Sequence, residues 1–274
     1  MLSAGTAKRC VTPPTWVPYL TSSGNGTCAP FEGVHDPLHA RALVLDDGEQ
    51  AIALLALDSI GYDNAILGPE RDFTGELRSR IAVATGLREG AVMLSATHSH
   101  STPETIGLTP FRDVPGVREW LEGHLQDLID TVVEAWEGRQ PSHAFAGAVE
   151  VEGVARHRRI ALKSGELNRK GDLPAASEVA APWEMDEELS ILYLESEAGD
   201  PRGVLLNYTA HPVIAMLLPP VSADYPGAAT AFVERELEGA VCLYTNGAAG
   251  DVNSVHVTTH FEDVQSVGEK LGRT

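Results

Sequence analysis

The stretch Ala91-Val92-Met93-Leu94-Ser95-Ala96-Thr97-His98-Ser99-His100-Ser101 decides how the rest of the chain is read. Its first half is an apolar run with the length and composition of a buried strand. Its second half places two imidazoles two residues apart. If the strand continues through them, His98 and His100 point to one face, roughly 7 Å apart at Cα. Two imidazoles on one rigid element are the start of a transition-metal site. The flanking hydroxyls of Thr97, Ser99 and Ser101 offer hydrogen bonds that would orient metal-bound rings. A catalytic metal keeps one position open, so one histidine is expected to bind metal and the other to hold substrate or stabilise charge.

Outward from this stretch, other apolar runs also end in polar residues. Residues 40–45 and 51–57 flank Asp46-Asp47-Gly48, a hairpin signal, and the second run ends in Asp58. Residues 189–194 and 203–208 pair through the Gly199-Asp200-Pro201 turn, and the second runs into Thr209-Ala210-His211-Pro212. Pro212 cannot continue a sheet ladder, so His211 is expected where a strand terminates. The run Val241-Cys242-Leu243-Tyr244 leads into Asn246-Gly247-Ala248-Ala249-Gly250-Asp251-Val252-Asn253.

Between these runs lie helical patterns. Pro69 is expected to open a helix that Gly86 stops, with Phe73, Leu77 and Ile81 four apart. Residues 117–136 carry an apolar face of period 3.6, residues from Pro226 onward form another helix, and 261–272 a last one. Residues 142–162 read as one or two strands. Residues 1–35, with Thr12-Pro13-Pro14 and Ser22-Ser23-Gly24-Asn25-Gly26, read as loop that wraps a surface or borders a cleft. Residues 163–184 read as an exposed excursion or lid. The fold class is α/β: a mixed β-sheet core flanked by helices, with the active site at the C-terminal ends of the strands.

Composition narrows the partners. Twenty Lys and Arg against 39 Asp and Glu give a net charge of −19, which argues against nucleic acid or an anionic membrane as a partner. No apolar run is long enough for a transmembrane helix, and residues 1–8 have no apolar signal core, which points to a cytoplasmic protein. Cys10, Cys28 and Cys242 are too few and scattered for a disulfide framework; free thiols are expected, with a Cys10–Cys28 bridge as the alternative. Oligomeric state is left open.

Several residues have two readings. Asp251 either caps its turn or orients a metal-bound histidine, and the backbone of the Gly247–Gly250 stretch is a candidate oxyanion site. Asp224 either caps a helix start or takes part in catalysis. Arg158, in the cluster Arg156-His157-Arg158-Arg159, either clamps a carboxylate or carbonyl oxygen or pairs with an acidic side chain. His124, His143, His256 and His260 read as structural or surface residues, and His35-Asp36 as a possible border of the cleft.

Four stretches resemble the neutral/alkaline non-lysosomal ceramidase family, in its N-terminal catalytic domain. They are Ala4-Gly5-Thr6-Ala7 with Thr12-Pro13-Pro14, then Gly33-Val34-His35-Asp36-Pro37-Leu38-His39-Ala40-Arg41-Ala42, then Thr97-His98-Ser99-His100-Ser101, and finally Asn246–Asn253. The resemblance implies a single catalytic domain over residues 1–274, incomplete at its C-terminal end, that cleaves the amide bond of a small-molecule or lipid substrate with zinc. It implies His98 and His211 as metal ligands, with a glutamate and a tyrosine from beyond residue 274 completing the set. It implies that His100 and Arg158 contact substrate, with Gly247 and Gly250 on the substrate side. Asp251 and Asn253 fall in the catalytic Gly-Asp-Val loop. The family's ceramidases place a serine where this chain has Asn253, and Ser254 follows one step later. That departure motivates an alternative: a lipid- or sugar-binding relative without catalysis, or an esterase on the same fold.

Overall fold

A computed structural model describes residues 1–21, 28–168, 174–180 and 185–274. The Ser22–Gly26 loop reading, and the parts of the expected lid at 169–173 and 181–184, lie outside the described residues. The main strands are β1 (Ser3–Cys10), β2 (His39–Asp46), β3 (Ala51–Leu57), β4 (Val92–Ala96), β5 (Gln140–Glu150), β6 (Glu188–Ser196), β7 (Pro201–Tyr208) and β8 (Val241–Asn246). The long helices are α1 (Phe73–Thr85), α2 (Val117–Glu137), α3 (Asp224–Glu236) and α4 (Phe261–Arg273). The strands form one mixed sheet in the order β8-β7-β6-β5-β1-β2-β3-β4.

β1 corrects the sequence reading, which took residues 1–35 as loop. It is an interior strand, antiparallel to β2 from Ser3↔Asp46 to Cys10↔His39. Its sequence, SAGTAKRC, has Thr6 as its one β-branched residue and no aromatic one, a weak strand signal. Small residues stand there because α2 lies directly on the strand. A Cβ on Gly5 would fall 2.0 Å from the Ala135 carbonyl oxygen, so only glycine allows this approach.

The sheet folds over on itself. Gln140 and Pro141 of β5 pair with β1, whereas Ser142 to Glu150 pair with β6, so β5 carries the ladder from one half to the other. Leu43, Leu54, Leu192, Leu194, Leu205 and Leu243 pack between the halves. A Cβ on Gly203 of β7 would meet Thr6 of β1 at 2.8 Å, another measure of how close the halves lie. On the outside, α1 and α2 cover β1–β4, with Phe73, Leu77, Leu121, Leu125 and Leu128 fully buried. On the other outside, α3 and α4 cover β7 and β8 through Tyr225, Ala229, Val264 and Leu271. The result is two helical layers around two sheet layers.

Each half holds one β-α-β unit. β3 and β4 are parallel neighbours joined through α1, and β7 and β8 are parallel neighbours joined through α3. Parallel neighbours end on the same side, so each unit delivers two strand C-termini to one edge. α1 starts at Phe73 rather than at Pro69, because Asp72 caps it by accepting from the Gly75 N–H, and Gly86 closes it in the left-handed conformation at φ 81°. The remaining long helices and both hairpins lie within a few residues of their expected positions. All three cysteines are free thiols, so the Cys10–Cys28 bridge is not formed.

Candidate metal centre

The strand carrying the His-x-His stretch ends at Ala96, two residues before the first histidine. Thr97 N–H still donates to Leu57 O at 2.8 Å, and His98 N–H to Ser59 O at 2.8 Å. At His98 the chain turns into the left-handed region, φ 71°, which is strained for a residue with a Cβ. His98 and His100 are thus not alternate residues of one strand. They sit in a turn, their rings edge-on with centroids 5.3 Å apart.

The flanking hydroxyls do not reach the imidazoles, contrary to expectation. Ser99 Oγ donates to Ser222 O at 3.0 Å and Ser101 Oγ to Ala215 O at 2.7 Å. They stitch this turn to the loops of the other half. Asn246 adds a further tie, donating through Nδ2 to Thr97 O at 3.2 Å while its Oδ1 accepts from Ala210 N–H at 3.3 Å.

His211 arrives from that other half. Buried tyrosines hold its approach: Tyr225 Oη donates to Ala210 O at 2.6 Å and Tyr244 Oη to Tyr208 O at 3.1 Å. Asp224, fully buried with φ 56°, accepts from Ala215 N–H at 2.9 Å and anchors the loop that leaves His211. The His211 N–H donates to Val252 O at 2.9 Å, and the His211 ring lies 4.7 Å from that of His98 and 5.3 Å from that of His100, centroid to centroid.

One ring nitrogen from each of His98, His100 and His211 can be chosen so that all lie within 4.8 Å of one another. Their protonation favours a metal. His98 Nδ1 lies 2.8 Å from Ile60 O, and His211 Nδ1 lies 2.8 Å from Ala249 O. A carbonyl oxygen only accepts, so each Nδ1 carries a proton, which leaves Nε2 as the atom a metal would take. His100 Nε2 is buried and has no hydrogen-bond partner among the described residues. Burial, with His98, His211 and Arg158 nearby, pushes the His100 pKa down to about 3, and burial also lowers that of His211. Imidazoles held through Nδ1 by carbonyls, with an unsatisfied nitrogen beside them, are a donor set that fits zinc or a neighbouring transition metal.

The other expected residues divide into those beside the cluster and those turned away. Arg158 is beside it: its charge acts on His100 and His211, and its Nη2 donates to Gly250 O at 2.6 Å. Asn253 forms a parallel bridge with His211, and its Oδ1 is buried without a hydrogen-bond partner among the described residues. Ser254 does not substitute for the serine missing at position 253. It is fully buried, and its Oγ accepts from His256 N–H at 3.3 Å.

Asp251 does not orient His211; the Ala249 carbonyl does. The Asp251 carboxylate instead lies 3.8 Å from His157 Nδ1. Gly247 does not offer an oxyanion donor, because its N–H is already given to Tyr208 O at 3.0 Å. Its glycine is required by packing, since a Cβ would fall 2.1 Å from Thr209 Oγ1. Gly250 contributes its carbonyl, to Arg158. Asp58 is bound in a buried ion pair with Arg41 at 2.7 Å. His124 is buried against Tyr62, 2.6 Å from its hydroxyl, as a structural residue would be. Asp36 accepts from Ser222 Oγ at 2.7 Å, so it braces the same loop that Ser99 grips.

The fold and the cluster define a class: an α/β two-sheet sandwich that presents a histidine triad at converging strand ends. Solved structures share that fold. The neutral ceramidase from Pseudomonas aeruginosa superimposes with a TM-score of 0.75 at 17% identity, over 99% of this chain and 44% of that one. A ceramidase complexed with C2 gives 0.74 at 18% identity, over 99% of this chain and 43% of that one. The chain thus spans less than half the length of these structural neighbours, and it has the ceramidase-like fold that its motifs led one to expect. No protein-family model matches the sequence, and no curated protein matches it. No helix among the described residues is long and apolar enough to cross a membrane.

Proposed function

We propose that this chain is the metal-binding part of a zinc-dependent hydrolase of carbon–nitrogen bonds, acting on a small-molecule or lipid amide in the manner of a ceramidase. One observation carries the reading: His98, His100 and His211 converge with two rings held through Nδ1 by carbonyls and one buried nitrogen unsatisfied. The structural neighbours named as ceramidases support the amide as the bond attacked. Residues 1–274 would act as one catalytic domain within a larger ligand set.

In this reading His98 and His211 hold the ion, oriented by Ile60 O and Ala249 O. Bound zinc supplies a Lewis acid for the amide carbonyl and a lowered pKa for water. His100 stays neutral and presents an imidazole to the substrate carbonyl. Arg158 is steadied by Gly250 O and keeps further N–H groups for a substrate oxygen. Asn253 stands beside His211 with a free amide oxygen. A carboxamide is a poor nucleophile, so attack would come from water rather than from position 253. That same substitution favours the second reading, a relative that binds without cleaving.

Metal analysis of the purified full-length protein tests the proposal. About one equivalent of zinc is expected; less than about a tenth of an equivalent of any transition metal would sink it. Panels of amides and esters, run with wild type and His98→Ala, then separate the readings. Equal turnover by both proteins would exclude a metal mechanism, and no turnover by metal-loaded wild type would favour the binding-only relative.

A further inference from the structure

The chain has nearly twice as many acidic as basic residues, and most arginines that pair with carboxylates do so at the surface of α1, α2 or α4. The cluster Arg156-His157-Arg158-Arg159 is different. Among the described residues, no carboxylate lies within ion-pair distance of Arg156, Arg158 or Arg159. Arg158 is held by the Gly250 carbonyl, and the Asp251 carboxylate acts on it only from beyond ion-pair distance. Burial and the adjacent Arg159 charge both lower its pKa, with Asp251 opposing them. Three arginines with no carboxylate in ion-pair contact among the described residues, and only Asp251 acting on Arg158 from further away, are open to an anion from outside.

Geometry places this cluster at the metal centre. The short strand Ala155–His157 pairs antiparallel with Val252–Ser254, setting Arg156 directly opposite Asn253. Cross-strand partners share a face of the ladder, so Arg156 and Asn253 project together. Asn253 in turn bridges to His211. Two polar atoms on this one pair, Arg156 Nε and Asn253 Oδ1, are buried with no hydrogen-bond partner among the described residues. Arg158 acts electrostatically on both His100 and His211. A neutral amide would satisfy one N–H of Arg158 and leave the rest of the cluster unused. Guanidinium groups match the two coplanar oxygens of a carboxylate.

We infer that the substrate carries a carboxylate close to its scissile amide, and that Arg156, Arg158 and Arg159 form the pocket that binds it. The inference rests on the amide-hydrolase reading and narrows its substrate class, from neutral lipid amides to acidic ones such as N-acyl amino acids. The net charge of −19 would repel an acidic substrate at long range, so a local basic cluster is what such a substrate requires. The carboxylate has two possible sources, the amine side or the acyl side of the amide.

Equilibrium binding to the metal-free full-length protein tests this without depending on turnover. The probes share a C12 chain: N-lauroylglycine carries the carboxylate on the amine side, N-dodecylsuccinamic acid carries it on the acyl side, and N-lauroylethanolamine is neutral. At least one acid is expected to bind about tenfold or more tightly than the neutral amide, with the difference shrinking as salt is raised. The better acid identifies the side. In Arg156→Gln/Arg159→Gln the preference should fall at least threefold, while affinity for the neutral probe holds; circular dichroism confirms the fold. Equal binding of all three probes by wild type overturns the inference, as does an unchanged preference in the variant or the lack of saturable binding by either acid. None of those results touches zinc content, so a failure here is distinguishable from failure of the hydrolase reading.

Discussion

Two polar clusters lie at neighbouring strand ends, and they differ in whether their charges and donors are paired within the protein. At the end of β3, Asp58 accepts from Arg41 Nη1 at 2.7 Å and from His39 N–H at 2.9 Å. Glu234 lies 3.5 Å from Arg41 Nε, and Lys8 in turn pairs with Glu234. Every charge in that group has a partner of opposite sign. Past the end of β4, among the described residues, His98 and His211 are tied by Nδ1 alone and His100 Nε2 is buried with no partner. Both clusters are polar and at strand ends, so the sequence reading counted them toward one site. Charge accounting separates them. Arg41 Nε, like His100 Nε2, makes no hydrogen bond among the described residues, but every charge of the first cluster is paired, as in a structural brace, whereas the imidazoles of the second could hold a metal ion.

The largest expected effect comes from breaking the charge-paired cluster. Asp58→Ala leaves Arg41, 3% exposed, as a buried charge with its closest counter-ion gone. Removing one partner of such a pair costs about 3–5 kcal/mol, read as a lower denaturant midpoint at constant m-value. If the variant loses less than about 1 kcal/mol, Asp58 is not a structural brace and the contrast with the histidine cluster fails.

What was legible in the sequence follows the same division. Apolar runs bounded by turn residues gave away both hairpins and the separate strands and helices of the β-α-β units, though not their parallel pairing, because periodicity and Asp-Gly or Gly-Asp-Pro turns are local signals. His98, His100 and His211 stood out as imidazoles at predicted strand ends, and the fold does bring them together. β1 was not legible, because Gly5 and Ala7 are chosen by the closeness of α2, a contact between residues more than 100 positions apart. The carbonyls of Ile60 and Ala249 were not legible either. Every residue has a carbonyl, and only the folded backbone shows which one faces an imidazole. The same limit misassigned Ser99 and Ser101, whose residue type suits a ring nitrogen but whose positions favour Ser222 O and Ala215 O.

Acid sharpens the comparison at intermediate scale. Burial lowers the pKa of His100 to about 3 and that of fully buried His124 to about 4. The unfolded chain binds protons at these sites near pH 6.5, before the native state does. Their contribution is therefore present above about pH 6.5 and declines as pH falls toward the native values. Asp224 has the opposite sign, since burial raises its pKa to about 7 and its contribution fades as pH rises from about 4 toward 7. For His124, shielded from solvent and bonded to Tyr62, the slope is about 1.4 kcal/mol per pH unit between pH 6.5 and 4. Denaturant titrations at pH 7, 6 and 5 should show this decline, and His124→Gln should flatten it. A steeper decline in the variant would mean that His124 is protonated in the native state.

The smallest expected effect on stability is at the histidine cluster. His100→Ala removes a nitrogen that the metal-free protein leaves unsatisfied, so lost packing is partly offset by relief of that desolvation. The metal-free variant should stay within about 1 kcal/mol of wild type, against the several expected for Asp58→Ala. Zinc then discriminates between the two roles open to His100. Stabilisation by added metal follows the logarithm of affinity, so loss of a ligand collapses the zinc-induced rise in Tm, whereas loss of a substrate contact leaves it intact. The resemblance assigns His100 to substrate and predicts an intact rise; the convergence of three nitrogens within 4.8 Å admits the other outcome. A His100→Ala protein that is strongly destabilised without metal would contradict both roles. It would place His100 with Asp58 among the braces, and the distinction between the two clusters would fail at the residue that best exemplifies it.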